Sequence, residues 1–455
     1  MLSITPVLRT FSILLVVLGI AVIASAQNAR VDVQLDSGQS PGNAPITLTL
    51  QDAIARARKI DPQFRAALTE FGMAKEDRVQ SRANLLPNVS YNAQFLYTEG
   101  NGTPSARFIA NNGVHEYVSE GNVHQGLSLA NVADYRRTLA AEAVAKARTE
   151  IAARGLVVTV VQSFYGFVVD QRKYGTAQKA NDEAKHFLDI SQKLEHGGEV
   201  AHSDVIKAQI QAQQKERDFL EAQVAMERSR VGLAVLLFMD FNQNFSVVDD
   251  LQSAEPLPDF SEVRADAAKN NPDLRAALAA VREAGQEVAV AWNGLLPSLS
   301  VDYFYGIDAN RIATSQLDPT SGRDIRNLGY AATASLQLPV WNWGASRSKI
   351  KQANLRQAQA RVELSSTQRQ LLGNLQNFYN EARAARLELD SLNQSAQLAA
   401  ESLRLTTMRY QAGEATVLEV VDAQNTSAQA RDAFDEGQER YRVAIANLQT
   451  LTGSF

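Results

Sequence analysis

The amino-acid sequence predicts an α+β membrane protein laid out twice, with short two-faced strands set between very long helices. Three observations lead there. A stretch recurs without a gap 210 residues on: Asp61-Pro62, Arg65-Ala66-Ala67-Leu68 and Leu85-Leu86-Pro87 return as Asn271-Pro272, Arg275-Ala276-Ala277-Leu278 and Leu295-Leu296-Pro297. At each Leu-Leu-Pro a helical period gives way to a period of two. Each half then carries a helical pattern, about Tyr135 to His196 and about Ala345 to Gln411, that would extend roughly 90–100 Å at 1.5 Å per residue.

Composition narrows the class. The 455 residues are 45 % hydrophobic and 21 % charged, ordinary values, and the net charge of −5 offers no basic footprint for nucleic acid. Without cysteine there is no disulfide, thiolate metal site or cysteine nucleophile. No P-loop, H-E-x-x-H or G-x-S-x-G occurs, so neither an enzyme nor a cofactor or metal is expected. His196 and His202 flank one helix reversal without a third ligand and read as surface histidines.

In chain order, Arg9, the apolar run from Phe11 to Ile23 and Ala24-Ser25-Ala26 read as a secretory signal peptide over 1–26. Residues 27–46 form a flexible lead-in, and 47–248 the first repeat. Leu48, Ala53 and Ala57 begin a short helix; Asp61 then caps a second one with Pro62 at its first position, running to about Leu86. Val89, Tyr91, Ala93, Phe95 and Tyr97 alternate with Ser90, Asn92 and Gln94, and alternation resumes at Val123, Leu127 and Leu129. That makes a hairpin of about 89–129. After the long helix, Gly198 ends the run and a return helix goes to about Asp240.

The linker is 249–260, and the second repeat 261–455 follows the same plan. Its hairpin of about 299–340 uses Leu299, Val301, Tyr303, Tyr305 and Ile307, a loop from Asp308 to about Asn327, then Leu328, Tyr330, Ala332, Ala334, Leu336 and Leu338. A second correspondence, 215 residues apart, pairs Gly198-Glu199 with Gly413-Glu414 and Asp204-Val205-Ile206 with Glu419-Val420-Val421. Thr416 and Glu419 have capping-box spacing for the last helix, which runs to Thr452. In each half, two shorter helices end to end match one long helix in length.

No later stretch reads as the roughly 18 apolar residues of a membrane helix, so if this exported chain enters a membrane it must do so as strands. The strands have about the 9–11 residues needed. Four cannot close a barrel, the smallest of which has about eight. Other copies must complete it: two copies would leave an interior filled by side chains, three a lumen. The polar alternate faces, with Ser90, Asn92, Gln94, Asp302, Thr333 and Gln337, favour the lumen. Trp292, Trp341 and Trp343 lie near the helix–strand junctions, where an aromatic belt would meet the membrane surface or where rings simply pack at a turn.

The doubled Asp61-Pro62 and Asn271-Pro272, the two Leu-Leu-Pro junctions, the strand exit Leu338-Pro339-Val340-Trp341-Asn342-Trp343-Gly344 and the glycine tips together resemble the TolC-type outer-membrane channel family over nearly all of the mature chain. The resemblance implies a homotrimer with a twelve-stranded barrel, four strands per chain, in the outer membrane of a Gram-negative bacterium. A coiled-coil helical tunnel would continue it into the periplasm. It further implies contact with outer-membrane lipid, docking to a periplasmic adaptor and an inner-membrane transporter, and passive export of drugs, small molecules or polypeptides by tripartite efflux or type I secretion. The alternative is a soluble periplasmic coiled-coil adaptor or scaffold.

By the same resemblance Glu419 and Asp422 match acidic residues that narrow the periplasmic end. Threefold repetition would make them rings of like charge, raising carboxylate pKa values and attracting cations. Glu419 also reads as a plain helix cap. Asp204 is the first-half counterpart of Glu419, with Lys207 at the place equivalent to Asp422. Tyr410 matches the family's closing network, and Ala415 stands where that network has arginine. Adaptor docking would use Gly197, Gly198, Glu199, Gly413, Glu414 and Ala415, which are also simply the helix reversals. Pro87, Pro297, Pro339, Trp341, Trp343 and Gly344 mark the helix–strand junctions.

Overall fold

The computed structural model describes residues 46–97, 115–252, 256–317 and 321–453. The expected signal peptide, nearly all of the lead-in and the tip of the first hairpin lie outside the described residues.

Local chemistry sets the start of each half. Helix α1, Leu50–Ile60, is opened by a reciprocal Thr49–Asp52 capping box. Helix α2, Pro62–Ala83, starts where the Asp61 carboxylate accepts the Phe64 amide at 2.6 Å and Pro62 takes the first position. In the second half the Asn271 side chain accepts the Leu274 amide at 2.9 Å ahead of Pro272. Both 22-residue helices, α2 and its later counterpart, end in one tight turn before proline: Leu85 and Leu86 donate to Arg82 and Ala83, and Leu295 and Leu296 to Trp292 and Asn293.

From these turns the strands leave. Strand β2, Asn88–Tyr97, pairs antiparallel with β3, His115–Leu127. Helix α3, Leu129–His196, and α4, His202–Leu237, follow. The second half supplies α5, Phe260–Asn270, α6, Pro272–Asn293, strand β5, Ser298–Ala309, strand β8, Leu328–Gln337, α7, Ala345–Gln411, and α8, Val417–Thr452. The sheet order is β2-β3-β5-β8, so β3 and β5 seam the two repeats and, among the described residues, β2 and β8 remain open edges.

Register keeps one apolar row across the sheet. Tyr91 lies opposite Gly121, Gly121 opposite Tyr305, and Tyr305 opposite Tyr330. Three residues along, a row on the other face holds Asn88, His124, Asp302 and Thr333, with His124 Nδ1 2.7 Å from Asp302 Oδ1. Both faces of β2 and β8 are exposed in the single chain.

Several bounds differ from the sequence expectation. Strand β3 begins at His115 rather than near Val123. Ser119 and Gly121 interrupt its apolar row and Val118 its polar one, but backbone pairing on both sides makes it a strand regardless. Inside the expected loop at 308–327 a small hairpin forms from β6, Ser315–Leu317, and β7, Asp324–Arg326. Leu48 belongs to strand β1, Ile46–Leu48, which pairs in parallel with β4, Phe245–Val247. Helix α2 stops at Ala83 and α4 at Leu237, each three residues short of its expected end.

The two long helices hold the rest. Helix α3 carries α2 and α6 along one part of its length and α4 and α8 along another, and α7 packs on α6 and α8. Two cores lie where the shorter helices meet. Leu48, Ile54, Val160, Phe164, Phe167, Leu233 and Leu237 form one; Val263, Leu375, Leu389, Tyr441 and Leu448 form its second-half counterpart. Among the described residues α3 alone is apolar enough by composition to cross a membrane, a feature absent from the expectation. Its apolar window packs into the first core, which explains that composition without lipid.

A charged clamp ties the linker to this level. The Arg172 guanidinium donates to both Asp249 oxygens at 2.6 and 2.7 Å, and to Asp435 and Gln438 on α8 at 2.8 and 2.6 Å. Burial alone would lower its affinity for a proton, but the bonds to Asp249 and Asp435 outweigh that and hold it above the usual arginine value. Arg442, stacked over Tyr165, donates to the Asp250 carbonyl.

Candidate functional site at the paired helix reversals

The two reversals are built alike. At the end of α3 the Gly198 amide bonds to Glu195 O and the Glu199 amide to Leu194 O; at the end of α7 Gly413 bonds to Tyr410 O and Glu414 to Arg409 O. Gly198 and Gly413 share φ +76°, the left-handed residue of a Schellman stop, with Gly197 and Ala412 as the caps before them. Glu199 and Glu414 are exposed, while Ala415 is half-buried and packs on the cluster beneath.

That cluster consists of Phe187, Ala208, Tyr410, Val417 and Val420. Tyr410, 3 % exposed, meets Phe187 at a centroid distance of 4.8 Å, and its hydroxyl shares a hydrogen bond of 3.1 Å with fully buried Ser191. Gln211 on α4 donates to Asn425 on α8 at 3.2 Å. Side-chain bonds between the helix pairs α3/α4 and α7/α8 near the tips thus include two that are neutral. Beside them a cleft of about 350 Å³ is lined by Glu183, His186, Phe187, Met408 and Gln424. Burial pushes the Glu183 carboxyl above its ordinary value.

Glu419 does the work of a cap. Its carboxylate accepts the Thr416 amide at 3.1 Å and hydroxyl at 3.0 Å, and its own amide donates back to that hydroxyl. Arg409 Nη1 lies 3.6 Å from it and Nη2 donates to Glu414 O at 2.9 Å. The Thr416 backbone bond first, then the hydroxyl bond and the charge of Arg409, hold Glu419 below the usual glutamate value. Within one chain that runs opposite to the upward shift expected from a ring of like charges. Asp422 is exposed one turn on. Asp204 is half-buried and bonds Lys207 at 3.1 Å.

A folded value below the unfolded one means that the contribution of Glu419 is present above the unfolded pKa and lost as pH falls through the depressed folded value. Amide exchange at Thr416 and Glu419, the two amides the cap bonds, should therefore stay protected at neutral pH and quicken only in acid below the ordinary glutamate range. Loss of protection at these two amides at or above that range would contradict the cap.

Sequence reasoning missed Arg409, Ser191, Gln211 and the His202–Glu195 pair at 2.6 Å. Arg409 carried a signal, standing beside Tyr410 in the last turn of a helix. The others depend on partners that only the fold supplies. His196 bonds Gln192 O instead of facing His202, and among the described residues no group of three or more His, Cys, Asp or Glu could hold a metal ion.

The junction residues lie together at one end of the sheet. Pro87 precedes β2, Pro297 precedes β5, and Pro339 to Gly344 join β8 to α7. Trp341 and Trp343 form an edge-on pair at 5.9 Å, and Gly344, at φ +84°, is the residue from which α7 starts.

A family model described as "Outer membrane efflux protein" matches residues 53–237 and 263–454, on either side of the linker. The chain belongs to that family. The TolC outer membrane protein of Escherichia coli (strain K12) is 22 % identical to it over 420 residues, covering 89 % of this chain and 82 % of that protein. The proteases secretion protein PrtF of Dickeya chrysanthemi is 22 % identical over 427 residues, with 91 % and 90 % covered. The Campylobacter jejuni CmeC outer membrane channel has the same fold, with a TM-score of 0.75 at 19 % identity over 92 % of this chain and 90 % of that one. Family and fold make the chain an outer membrane export channel with a large periplasmic helical portion, and a soluble adaptor is not favoured.

Proposed function

We propose that three copies of the chain close into one duct, with β8 of each pairing with β2 of the next to give a twelve-stranded barrel. The observation that carries this is the four-stranded sheet itself, with two unpaired edges and two exposed faces, one apolar and one polar. Backbone groups left open in lipid cost several kcal/mol apiece, so such a sheet is stable in a membrane only when its edges meet partners. The long helices continue the wall into the periplasm, and the two reversals form its inner mouth. There a periplasmic adaptor docks on Gly197, Gly198, Glu199, Gly413, Glu414 and Ala415, and an inner-membrane transporter delivers the cargo.

Cargo is drugs, small molecules or polypeptides leaving passively. The transporter upstream selects what passes. Asp204, Tyr410, Glu419 and Asp422 act at the mouth: Tyr410 ties the two helix pairs together, and the carboxylates present negative charge to whatever enters.

Planar-bilayer recording tests both levels. The purified protein is expected to run as a trimer and to form channels; a soluble monomer that never inserts would overturn the duct. Replacing Glu419 and Asp422 by alanine should raise conductance and weaken block by multivalent cations added at the periplasmic side about ten-fold, the equivalent of ~1.4 kcal/mol. Unchanged block and conductance would remove the two residues from that role.

A further inference from the structure

The four long strands contain no lysine or arginine. These residues number 45 among the 455 of the chain, about one in ten, yet β2, β3, β5 and β8 hold none. Basic charge returns in the connection between β5 and β8, where three arginines and no lysine stand: Arg311, Arg323 and Arg326. All three are exposed, and among the described residues none makes an ion pair or a side-chain hydrogen bond. Asp324, between two of them, pairs with neither. The fold therefore gives these guanidiniums no task inside the chain.

Apolar side chains are interleaved with them. Ile312 and Leu317 are 70 % and 71 % exposed, and Ile325 is exposed as well. In the small β6–β7 ladder Ser315 lies opposite Arg326 and Leu317 opposite Asp324, so Leu317 and Arg326 share one face, a diagonal step of roughly 7–8 Å apart. That spacing suits a charged headgroup and the first methylenes of its chain. The segment is also fixed to the strands. Asn327 Nδ2 donates to the Ala313 carbonyl at 3.0 Å, and the amides of Asn327 and Leu328 both donate to the Thr314 carbonyl, at 2.9 and 3.2 Å. A surface held this way loses less freedom when it binds.

Position supplies the partner. The helices join the sheet at its opposite end, through the Leu-Leu-Pro turns and the turn from β8 to α7. With the helices in the periplasm, the arginines stand at the outer leaflet. We infer that the β6–β7 hairpin, with Arg311 and Ile312 before it, is a docking surface for a phosphorylated, acylated glycolipid of that leaflet, of the lipid A type. The inference rests on the reading of the sheet as part of a membrane barrel. The planar fork of arginine grips a phosphate through two parallel N–H donors, which the point charge of lysine does not. A glycolipid with several phosphates and acyl chains meets the three guanidiniums and the three aliphatic side chains together. A phospholipid with a single phosphate meets fewer of them, and free phosphate meets none of the aliphatic groups.

The test measures binding of lipid A, phosphatidylglycerol and inorganic phosphate to the full-length trimer in neutral detergent, comparing the wild type with Arg311→Gln/Arg323→Gln/Arg326→Gln. Lipid A is expected to bind the wild type about ten-fold more tightly than the triple variant. Leu317→Ser should weaken it several-fold, and so should removal of the lipid's phosphates. Because the guanidiniums have no partner within the chain, the triple variant should form trimer and conduct as the wild type does in phosphatidylcholine bilayers. Equal affinity of the two proteins for lipid A overturns the site. Phosphatidylglycerol binding as tightly as lipid A overturns it too, as a merely anionic contact, and full displacement by inorganic phosphate does so as a free-phosphate site. Should the triple variant alone fail to assemble, dephosphorylated lipid A decides on the wild type: undiminished binding overturns the surface, and weakened binding supports it. If wild-type channels conduct while the site fails, the duct stands and only the docking surface falls; if no channels form, the barrel reading has failed first and takes the surface with it.

Discussion

Gly306→Ala abolishes assembly of the barrel: we expect no trimer in the membrane fraction and no conductance. A Cβ at Gly306 would overlap the Ser119 carbonyl oxygen and Glu120 Cα, so backbone rather than a flexible side chain must give way. The site is on the β3–β5 seam, where Glu120 lies opposite Gly306 and the two repeats are held together. Overpacking of this kind costs on the order of 1–3 kcal/mol even after relaxation. Each ladder bond lost in lipid adds several more. Gly329 is the control. It is the partner of Gly306 on β8, yet a Cβ there meets nothing within 4 Å, and Gly329→Ala should assemble normally. Equal yields of trimer from both variants would refute the close approach.

Arg172→Ala should be the most destabilising change outside the barrel. Asp435 is fully buried and Arg172 is its nearest hydrogen-bonding cation, so removing the guanidinium leaves the carboxylate to the more distant Arg431 at 3.4 Å and frees Asp249 from the strap between the repeats. Breaking a buried pair from one side typically costs about 3–5 kcal/mol. In a chain of this size that lowers the helical melting midpoint by on the order of 5 °C. Circular dichroism of the detergent-extracted protein measures it. Because the loss comes chiefly from a buried carboxylate left under-compensated, Arg172→Met combined with Asp435→Leu should recover much of it. A double variant as unstable as the single one would place the cost in lost packing instead.

Much of the architecture was legible because its signals are local. The Asp61-Pro62 and Asn271-Pro272 pairs announce capped helix starts through one side chain and one ring. Gly198 and Gly413 announce reversals because few other residues adopt that φ readily. Alternation announced β2, β5 and β8, each read from its own residues. What the sequence hid depends on remote partners. The β1–β4 pair joins residues nearly two hundred apart, and neither three-residue strand has a pattern of its own. The first half of β3 is polar and glycine-bearing, and only its two neighbours make it a strand. At the candidate mouth Tyr410 was found, but Ser191 was not: a serine on a long helix is ordinary until a ring 219 positions away closes over it. Glu419 was read as both cap and charge, and its bonds to Thr416 bear out the cap.

The open margins β2 and β8 have a consequence for inheritance. A subunit that is faulty at one margin but sound at the other can still join its neighbours and spoil the ring it enters. In a cell making sound and faulty subunits equally, random mixing into threefold rings leaves only about one ring in eight intact. Such alleles should therefore be dominant, and the loss of export should track the dose of the defective copy.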